Sequence, residues 1–257
     1  MNVFVFDIET IPDIDGCRRL YDLHGLSDDD VARAVFQLRR QQVGNDFLRH
    51  HLHRIVAISA VLRTRDQVKV WSLGTADSDE QDLLQRFFSG IERYTPRLVS
   101  WNGGGFDLPV IHYRSLLYPI DAGHYWETGQ NDTSFRYNNY LSRYHERHTD
   151  LMDVLAGFQP RANAPLDEIA SLCGFPGKMG MSGARVWDAY QQGQIQAIRD
   201  YCETDVLNTY LVYLNYERNR GNLDQARYRA ECELLRGELK ASGLQHLLDF
   251  ESAWLDA

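Results

Sequence analysis

Residues 3–9 read VFVFDIE, an unbroken apolar run from Val3 to Phe6 that leads into two acidic residues. A continuous apolar run, rather than an alternating one, is typical of a central strand that is covered on both faces. Because side chains two positions apart point to the same face of a strand, Asp7 and Glu9 are expected to converge. Neighbouring carboxylates at the end of a buried strand repel each other and stay ionised most easily with a cation between them. The alternative is a strand-end aspartate that caps the next turn.

The segments that follow alternate between strand-like and helix-like patterns. Val- and Ile-rich runs predict further strands at 54–64, 67–73 and 97–101, the first two joined as a hairpin. Apolar spacing predicts helices at about 27–49, 79–93, 107–117, 165–172 and 194–218, and one or two more within 222–254. Ser78 and Gln81 are expected to form a capping box. The predicted fold is therefore α/β, a mixed β-sheet flanked by α-helices.

The composition is that of an ordinary globular protein, with 44% apolar and 25% charged residues among 257. We expect one domain over residues 1–257, with a core at about 1–215 and a C-terminal helical extension at about 216–257. No apolar stretch is long enough for a membrane span, and the N-terminus lacks the pattern of a signal peptide. The cysteines are widely spaced, which favours free thiols and a cytoplasmic location over a zinc site.

A second signal is WNGGGFD at 101–107, which follows a predicted strand and opens a predicted helix. Its glycines allow a ligand to approach the backbone, and a helix N-terminus favours phosphate. Asp107 lies at the start of the helix, where its carboxylate would cap the helix or hold a metal. The segment is neither a P-loop nor a dinucleotide fingerprint, because the residues that define those motifs are missing. A glycine-rich turn with an aspartate cap is the alternative.

The third signal is Tyr201 followed four residues later by Asp205, within IRDYCETDV. This spacing places both side chains on one helical face. Apolar residues such as Ile198 and Cys202 lie on the adjoining stripe, so the pair is expected to border the core. An ordinary Tyr–Asp hydrogen bond on a helix is the alternative.

Together, VFDIET, NGGGFD and YCETD resemble the three motifs of DEDDy-type 3′–5′ exonucleases, in the same order and context. The resemblance covers about residues 1–215 and implies a ribonuclease-H-like fold. It is strongest to stand-alone proteins similar to the proofreading exonuclease domain of family-B DNA polymerases. The insertion at 27–49 and the tail from about 216 lie outside the motifs.

The resemblance implies that two divalent cations, Mg²⁺ or Mn²⁺, are held by Asp7, Glu9, Asp107 and Asp205. Ligation by carboxylates alone suits these ions better than zinc. Asp7 would bridge the two ions. Glu9 and Asp205 would complete the site of the ion that activates water, and Asp107 would serve the second ion through water.

The same resemblance gives roles to three further side chains. Tyr201 would orient the attacking water, because a phenol with an ordinary pKa of about 10 is a poor base. Asn102 and Phe106 would contact the terminal nucleotides of the substrate, Phe106 by stacking or wedging.

The expected activity is metal-dependent 3′–5′ exonucleolytic hydrolysis of single-stranded or frayed DNA 3′ ends to 5′-mononucleotides. The net charge of −9 argues against nucleic-acid binding by bulk charge, but it does not exclude a nuclease whose carboxylates hold cations. The alternatives are an RNA or oligoribonucleotide exonuclease, a catalytically silent nucleic-acid-binding module, and an endonuclease of the same fold.

Four weaker patterns remain. Arginines and tyrosines interleave at 135–148, which suits single-stranded nucleic acid but equally a solvated loop. The histidines of RHHLHR (49–54) are a less favoured metal cluster. Asp150 and Asp153 are interpreted as structural, and KMGMSG (178–183) as a loop near the substrate.

Overall fold

The structure, a computed structural model, describes residues 2–254. Within them, one mixed sheet is built from β1 (Val3–Pro12), β2 (His53–Arg63), β3 (Val68–Ser72), β4 (Arg97–Ser100) and β5 (His148–Asp150). The spatial order is β3-β2-β1-β4-β5. β1 pairs antiparallel with β2 and parallel with β4, which itself pairs parallel with β5. The predicted α/β architecture, a mixed sheet flanked by helices in the ribonuclease-H-like manner, is confirmed.

The helices of the described chain surround this sheet. They are α1 (Ile14–Tyr21), α2 (Asp28–Val43), α3 (Glu80–Tyr94), α4 (Asp107–Ser115), α5 (Leu151–Leu155), α6 (Leu166–Leu172), α7 (Val186–Gln191), α8 (Ile195–Asn219), α9 (Gln225–Ser242) and α10 (Gln245–Ala253). None of these helices, over residues 2–254, is long and apolar enough to cross a membrane.

Both faces of the sheet are buried, as the unbroken apolar run in β1 predicts. Val5 points to one face and packs in a cluster with Val206 of α8, to which α9 and α10 also contribute. Phe4 and Phe6 point to the opposite face and pack with Phe87 of α3 and with α4. Because side chains alternate along a strand, Asp7 and Glu9 lie on the same face as Val5, which is the face that α8 covers.

The first strand is longer than predicted. The apolar run ends at Phe6, but β1 continues to Pro12 because its antiparallel pairing with β2 continues, with Asp7 opposite Ser59 and Glu9 opposite Ala57. Pairing with β4 ends at Val5. The two acidic residues therefore lie within a strand, beyond the point at which β4 stops.

The capping box predicted from Ser78 and Gln81 is wrong. Asp79 is the N-cap of α3, since its carboxylate accepts a hydrogen bond from the backbone amide of Asp82 at 2.8 Å. Ser78 instead closes the preceding turn: its Oγ accepts from the amide of Thr75 at 2.9 Å and donates to the Asp82 carboxylate at 2.6 Å. The N-cap of α3 lies one residue later than predicted, so the Ser78 hydroxyl binds the turn and Asp82 instead of capping the helix.

The segment between β1 and β2 forms a helical insertion, comprising α1, α2 and a 3-10 turn at His50–Leu52. It has a small core of its own, to which Cys17, Val31, Val35, Leu48 and Leu52 contribute. The helix predicted at 27–49 is thus confirmed in shorter form, as Asp28–Val43.

A buried ion-pair network ties α4 to α3 and to the start of the insertion. The Arg114 guanidinium, only 4% exposed, donates to both carboxylate oxygens of Glu80, at 2.9 and 2.6 Å. It also pairs with Asp13. Glu80 accepts a further hydrogen bond from the backbone amide of Ile55, at 2.6 Å. The network orients α4, whose first residue is Asp107.

Candidate active site

Asp7 and Glu9 lie side by side on the face of β1 that α8 covers. Glu9 is 7% exposed and Asp7 is half-buried. One oxygen from each carboxylate and the Cys202 sulfur all lie within 4.8 Å of one another. The convergence predicted from strand alternation is therefore present in the structure.

Asp107 contacts the same strand, β1, from the start of helix α4. It is the first residue of α4 and is 3% exposed, and its Oδ1 accepts a hydrogen bond from the backbone amide of Ile8 at 3.2 Å. Ile8 separates Asp7 from Glu9, so the third carboxylate is attached to the backbone between the first two. Asp107 thus binds the neighbouring strand and is not the N-cap of its own helix.

The loop before α4 is held by Asp150 at the end of β5. Its carboxylate accepts hydrogen bonds from the backbone amides of Asn102 and Gly104, both at 2.9 Å, and it caps α5. Asn102 adopts a left-handed conformation with φ of 63°, which asparagine tolerates better than most residues. Asp150 thus has the structural role expected of it.

Of the glycines in this loop, Gly103 is the one that its neighbours within the protein most clearly require. A Cβ atom on Gly103 would overlap the Ser100 side chain, and one on Gly105 would overlap the side-chain oxygen of Asn102. The sequence suggested that these glycines let a ligand approach the backbone. For Gly103 the structure adds a second reason, which is close packing against Ser100.

Helix α8 supplies Tyr201 and Asp205, one turn apart. The Tyr201 hydroxyl acts on the Asp205 carboxylate and lowers the pKa of that group. Burial, together with the nearby charges of Asp205 and Glu9, raises the pKa of Tyr201 far above its usual value of 10. The phenol therefore stays protonated at neutral pH and serves as a hydrogen-bond donor, not as a base.

Without a bound cation, all four carboxyl groups have raised pKa values. For Asp7, burial is the main cause, followed by the charges of Asp107, Glu9 and Asp205. For Glu9, burial is again followed by Asp205 and Asp107. Burial raises the pKa of Asp107 to about 7 and that of Asp205 to about 6. Asp107 and Asp205 raise the pKa of both Asp7 and Glu9, so the four form one electrostatic cluster.

Asp7 and Glu9 lie close enough together to share a divalent cation, and the charges of Asp107 and Asp205 act on the same two groups. Over residues 2–254, no Lys, Arg or His side chain forms an ion pair with Asp7, Glu9, Asp107 or Asp205. Buried carboxylates without a counter-charge are costly, and a cation bound between them removes that cost. Oxygen donors match Mg²⁺ or Mn²⁺.

Cys202 is a neighbour of this cluster that the sequence placed only in the core. Its sulfur lies 3.7 Å from Asp7 Oδ2 and 3.5 Å from the Asp7 carbonyl oxygen. Burial, and then the charges of Asp7 and Glu9, raise the pKa of the thiol well above its usual value. A protonated thiol is a weak donor and a poor ligand for hard cations, so Cys202 is a hydrogen-bond partner of Asp7 rather than a metal ligand.

Lys178 lies near the acidic cluster, in the loop before α7. Its charge partly opposes the rise in pKa at Glu9 and Asp205. Asn208 of α8 fixes the loop by accepting from the Gly177 amide at 3.1 Å and donating to the Gly177 carbonyl at 2.8 Å. The KMGMSG segment thus begins beside the carboxylates, a position that the sequence did not define.

Phe106 precedes Asp107 and is surrounded by rings from the insertion and from the first residue of β2. The His53 ring packs edge-on against it at 5.1 Å, and Phe47 lies 5.3 Å away. His50 hydrogen-bonds to the carbonyl of Gly105 at 2.9 Å. The histidines of 49–54 thus support the loop, and within the described chain the metal-ligand group contains none of them.

The family profile for predicted 3′–5′ exonucleases related to the exonuclease domain of PolB matches residues 45–254. The chain belongs to this family. The predicted resemblance is thereby confirmed for most of the chain. The match includes Asp107, Tyr201 and Asp205, whereas Asp7 and Glu9 lie before it and are brought to the same site by the fold. No curated protein shows a significant match to the chain.

Proposed function

We propose that the protein is a metal-dependent 3′–5′ exonuclease that hydrolyses single-stranded or frayed DNA 3′ ends to 5′-mononucleotides. One observation carries the proposal: two buried and two half-buried carboxyl groups from β1, α4 and α8 raise one another's pKa, form no ion pair within residues 2–254, and lie beside a tyrosine that remains protonated. Such a cluster is costly in a folded protein unless cations bind it.

Two divalent cations, Mg²⁺ or Mn²⁺, would be held by Asp7, Glu9, Asp107 and Asp205. When bound, such a pair of cations neutralises charge on the scissile phosphate and makes water nucleophilic at neutral pH. The chain itself supplies a rigid arrangement of ligands, because Asp107 is fixed to the Ile8 amide and the other three lie on regular elements.

Tyr201 would position the attacking water. Its hydroxyl is a donor at neutral pH and already lies within hydrogen-bonding reach of Asp205, so a water beside that carboxylate would be within its range. One fixed donor that orients a reacting water typically raises the rate by about 10²- to 10³-fold or less.

Asn102 and Phe106 would bind the terminal nucleotides next to Asp107. A base can stack on Phe106 only if it is unpaired, and unpairing a duplex end costs on the order of a few kcal/mol. The proposal therefore includes faster degradation of single strands than of blunt duplexes.

The decisive assay compares 5′-labelled and 3′-labelled single strands of DNA and RNA in Mg²⁺, Mn²⁺ or EDTA. We expect labelled mononucleotides to be released first from the 3′ end of DNA, and only with a divalent cation. A preference for RNA would favour the alternative of an RNA or oligoribonucleotide exonuclease. Cutting of circular single strands would indicate an endonuclease.

Asp7→Asn is the matched variant for this assay, with Asp249→Asn as its control. Both aspartates stand in a D-x-E sequence, but Asp249 is exposed on α10. We expect Asp7→Asn to lose several orders of magnitude in turnover and Asp249→Asn to match the wild type. Binding without hydrolysis by the wild type would favour the silent module.

A further inference from the structure

A buried glutamate lies in the turn of α8 between Tyr201 and Asp205. Glu203 is 5% exposed, and both of its carboxylate oxygens have partners outside the helix. Oε1 accepts a hydrogen bond from the Ser72 hydroxyl at the end of β3, at 2.7 Å, and Oε2 lies 2.7 Å from His246 Nε2 of α10. No step of the proposed hydrolysis uses this carboxylate, so its burial requires another explanation.

Ser72 connects this carboxylate to the strands of the sheet. Its hydroxyl hydrogen-bonds to that of Ser59 on β2 at 2.9 Å, and Ser59 lies opposite Asp7 in the pairing of β1 with β2. Arg199, one turn earlier on α8, donates to the backbone carbonyls of residues 72–75 at 2.9–3.3 Å. Two polar side chains of α8 therefore bind the end of β3, and together they define how the helix lies on the sheet.

His246 is the partner that the C-terminal extension supplies. Its side chain is 17% exposed, and its Nδ1 lies 3.6 Å from Oδ1 of Asp200, which precedes Glu203 by one turn. Burial alone would lower the pKa of His246, but the hydrogen bond to Glu203 and the charge of Asp200 raise it above its usual value. The contact between α10 and α8 is therefore strengthened by charge.

Apolar packing already holds these two helices together. Leu247 and Phe250 of α10 are buried in the same cluster as Leu207 and Leu211 of α8. Attachment does not require a buried charged pair, because replacing such a pair with apolar residues is often neutral or stabilising. Hydrogen bonds have a fixed direction, and a buried polar network whose members are all satisfied specifies one arrangement. The polar contacts of Glu203 therefore add a defined rotation of α8 to its attachment.

We infer that Glu203, held between Ser72 and His246, is a positioning residue for the proposed metal site. It fixes the rotation of α8, and thereby the direction in which Asp205 and Tyr201 point. The inference rests on the proposed function. The C-terminal extension, which lies outside the three motifs, then contributes to the site indirectly, through His246.

Binding of Mn²⁺ tests this role without requiring hydrolysis. The Mn²⁺ dissociation constants of the wild type and of His246→Ala are measured from the electron paramagnetic resonance signal of free Mn²⁺. We expect His246→Ala to bind Mn²⁺ about tenfold more weakly, since loss of a residue that orients a metal ligand costs about 10- to 100-fold in affinity. His246→Gln keeps an N–H donor and should restore the affinity. Equal affinities of His246→Ala and the wild type would overturn the inference.

A double-mutant cycle separates positioning from general loosening of the fold. If the effect passes through Asp205, His246→Ala should weaken Mn²⁺ binding much less in an Asp205→Asn background than in the wild type. Equal losses in the two backgrounds would overturn the inference. His24→Ala is the matched control, because His24 forms an exposed pair with Asp22 at 3.7 Å in the insertion and should bind Mn²⁺ as the wild type does.

Activity distinguishes this inference from the proposed function on which it rests. In Mg²⁺, we expect His246→Ala to lower kcat on single-stranded DNA about tenfold without a change in KM, because the variant alters the metal site and not the contacts with the strand. A wild type that shows the Mn²⁺ pattern but hydrolyses no strand would support the positioning role and contradict the proposed hydrolysis. A wild type that binds no Mn²⁺ would overturn both.

Discussion

Asp107 Oδ1 accepts a hydrogen bond from the backbone amide of Ile8, across 99 positions of sequence. This contact joins the glycine loop and α4 to β1, the strand that carries Asp7 and Glu9. Asp107 therefore combines two functions in one side chain, because it completes the acidic cluster and fixes the distance between α4 and β1. The two functions are separable, since an amide side chain keeps an acceptor oxygen and loses the charge.

Asp107→Asn and Asp107→Ala should therefore differ in stability but not in activity. We expect both variants to lose several orders of magnitude in turnover, because both remove a carboxylate from the proposed metal site. Only Asp107→Ala leaves the buried Ile8 amide without an acceptor, which costs about 1–3 kcal/mol. Urea unfolding in EDTA measures this difference, and equal stability of the two variants would show that the hydrogen bond contributes nothing.

The stabilising effect of divalent cations should increase with pH. Burial raises the pKa of Asp205 to about 6 and of Asp107 to about 7, above the ordinary value of 3.8. A raised pKa stabilises the metal-free fold below pH 4, and that contribution is lost as pH rises through 6 and 7. Mg²⁺ binds only the ionised groups, so the Tm difference between Mg²⁺ and EDTA should grow from pH 5 to pH 8. A difference that is constant over this range would contradict the clustered arrangement.

Two buried histidines and one half-buried histidine make the stability of the fold depend on pH in the opposite direction, at lower pH. Burial lowers the pKa of His53, His112 and His148 to about 4, below the ordinary value of 6.5. Their contribution to stability is therefore complete above pH 6.5 and is lost as pH falls towards 4. In His148→Gln, the fall in unfolding free energy between pH 6.5 and pH 4 should be smaller than in the wild type. An unchanged fall would show that His148 protonates freely in the folded state.

Tyr201→Phe should reduce turnover less than the loss of a carboxylate, by 10²- to 10³-fold or less. It should also shift the acid limb of the pH–rate profile upwards, because the tyrosine hydroxyl lowers the pKa of Asp205. Tyr137→Phe, at an exposed tyrosine, is the control and should leave both quantities unchanged. A reduced rate with an unshifted acid limb would mean that the hydroxyl acts without its bond to Asp205.

Arg114→Met should destabilise the protein strongly, since it leaves Glu80 and Asp13 buried without a counter-charge. Removing one partner of a buried ion pair costs about 3–5 kcal/mol. Arg86→Met is the matched control, because Arg86 forms an exposed pair with Asp82, and such pairs contribute about 0–1 kcal/mol. Chemical denaturation of the two variants gives the comparison, and similar losses would refute the structural importance of the buried network.

Sequence patterns predicted those parts of the site that depend on local geometry. The alternation of a strand placed Asp7 beside Glu9, and the spacing of a helix placed Tyr201 beside Asp205. The patterns did not predict that β1 continues past Asp7, because the continuation depends on pairing with β2 and not on a further apolar run.

The remaining parts of the site depend on contacts between distant segments. Asp150 holds the glycine loop from 46 and 48 positions away, and Asn208 holds Gly177 from 31 positions away. The position of Phe47 depends on how the insertion folds back over β1. A polar residue that binds a backbone group far along the chain leaves no periodic trace in the sequence, so these contacts required the structure.

The insertion has a small hydrophobic core that is separate from the clusters on the two faces of the sheet. Substitutions within it therefore affect few of the side chains that stabilise the rest of the molecule. Asp205 is in the opposite situation, because α8 packs against the sheet and shares a core cluster with α9 and α10. Substitutions between β1 and β2 should consequently be tolerated more often than substitutions in α8, so that this part of the chain can change in sequence with the least effect on the rest of the molecule.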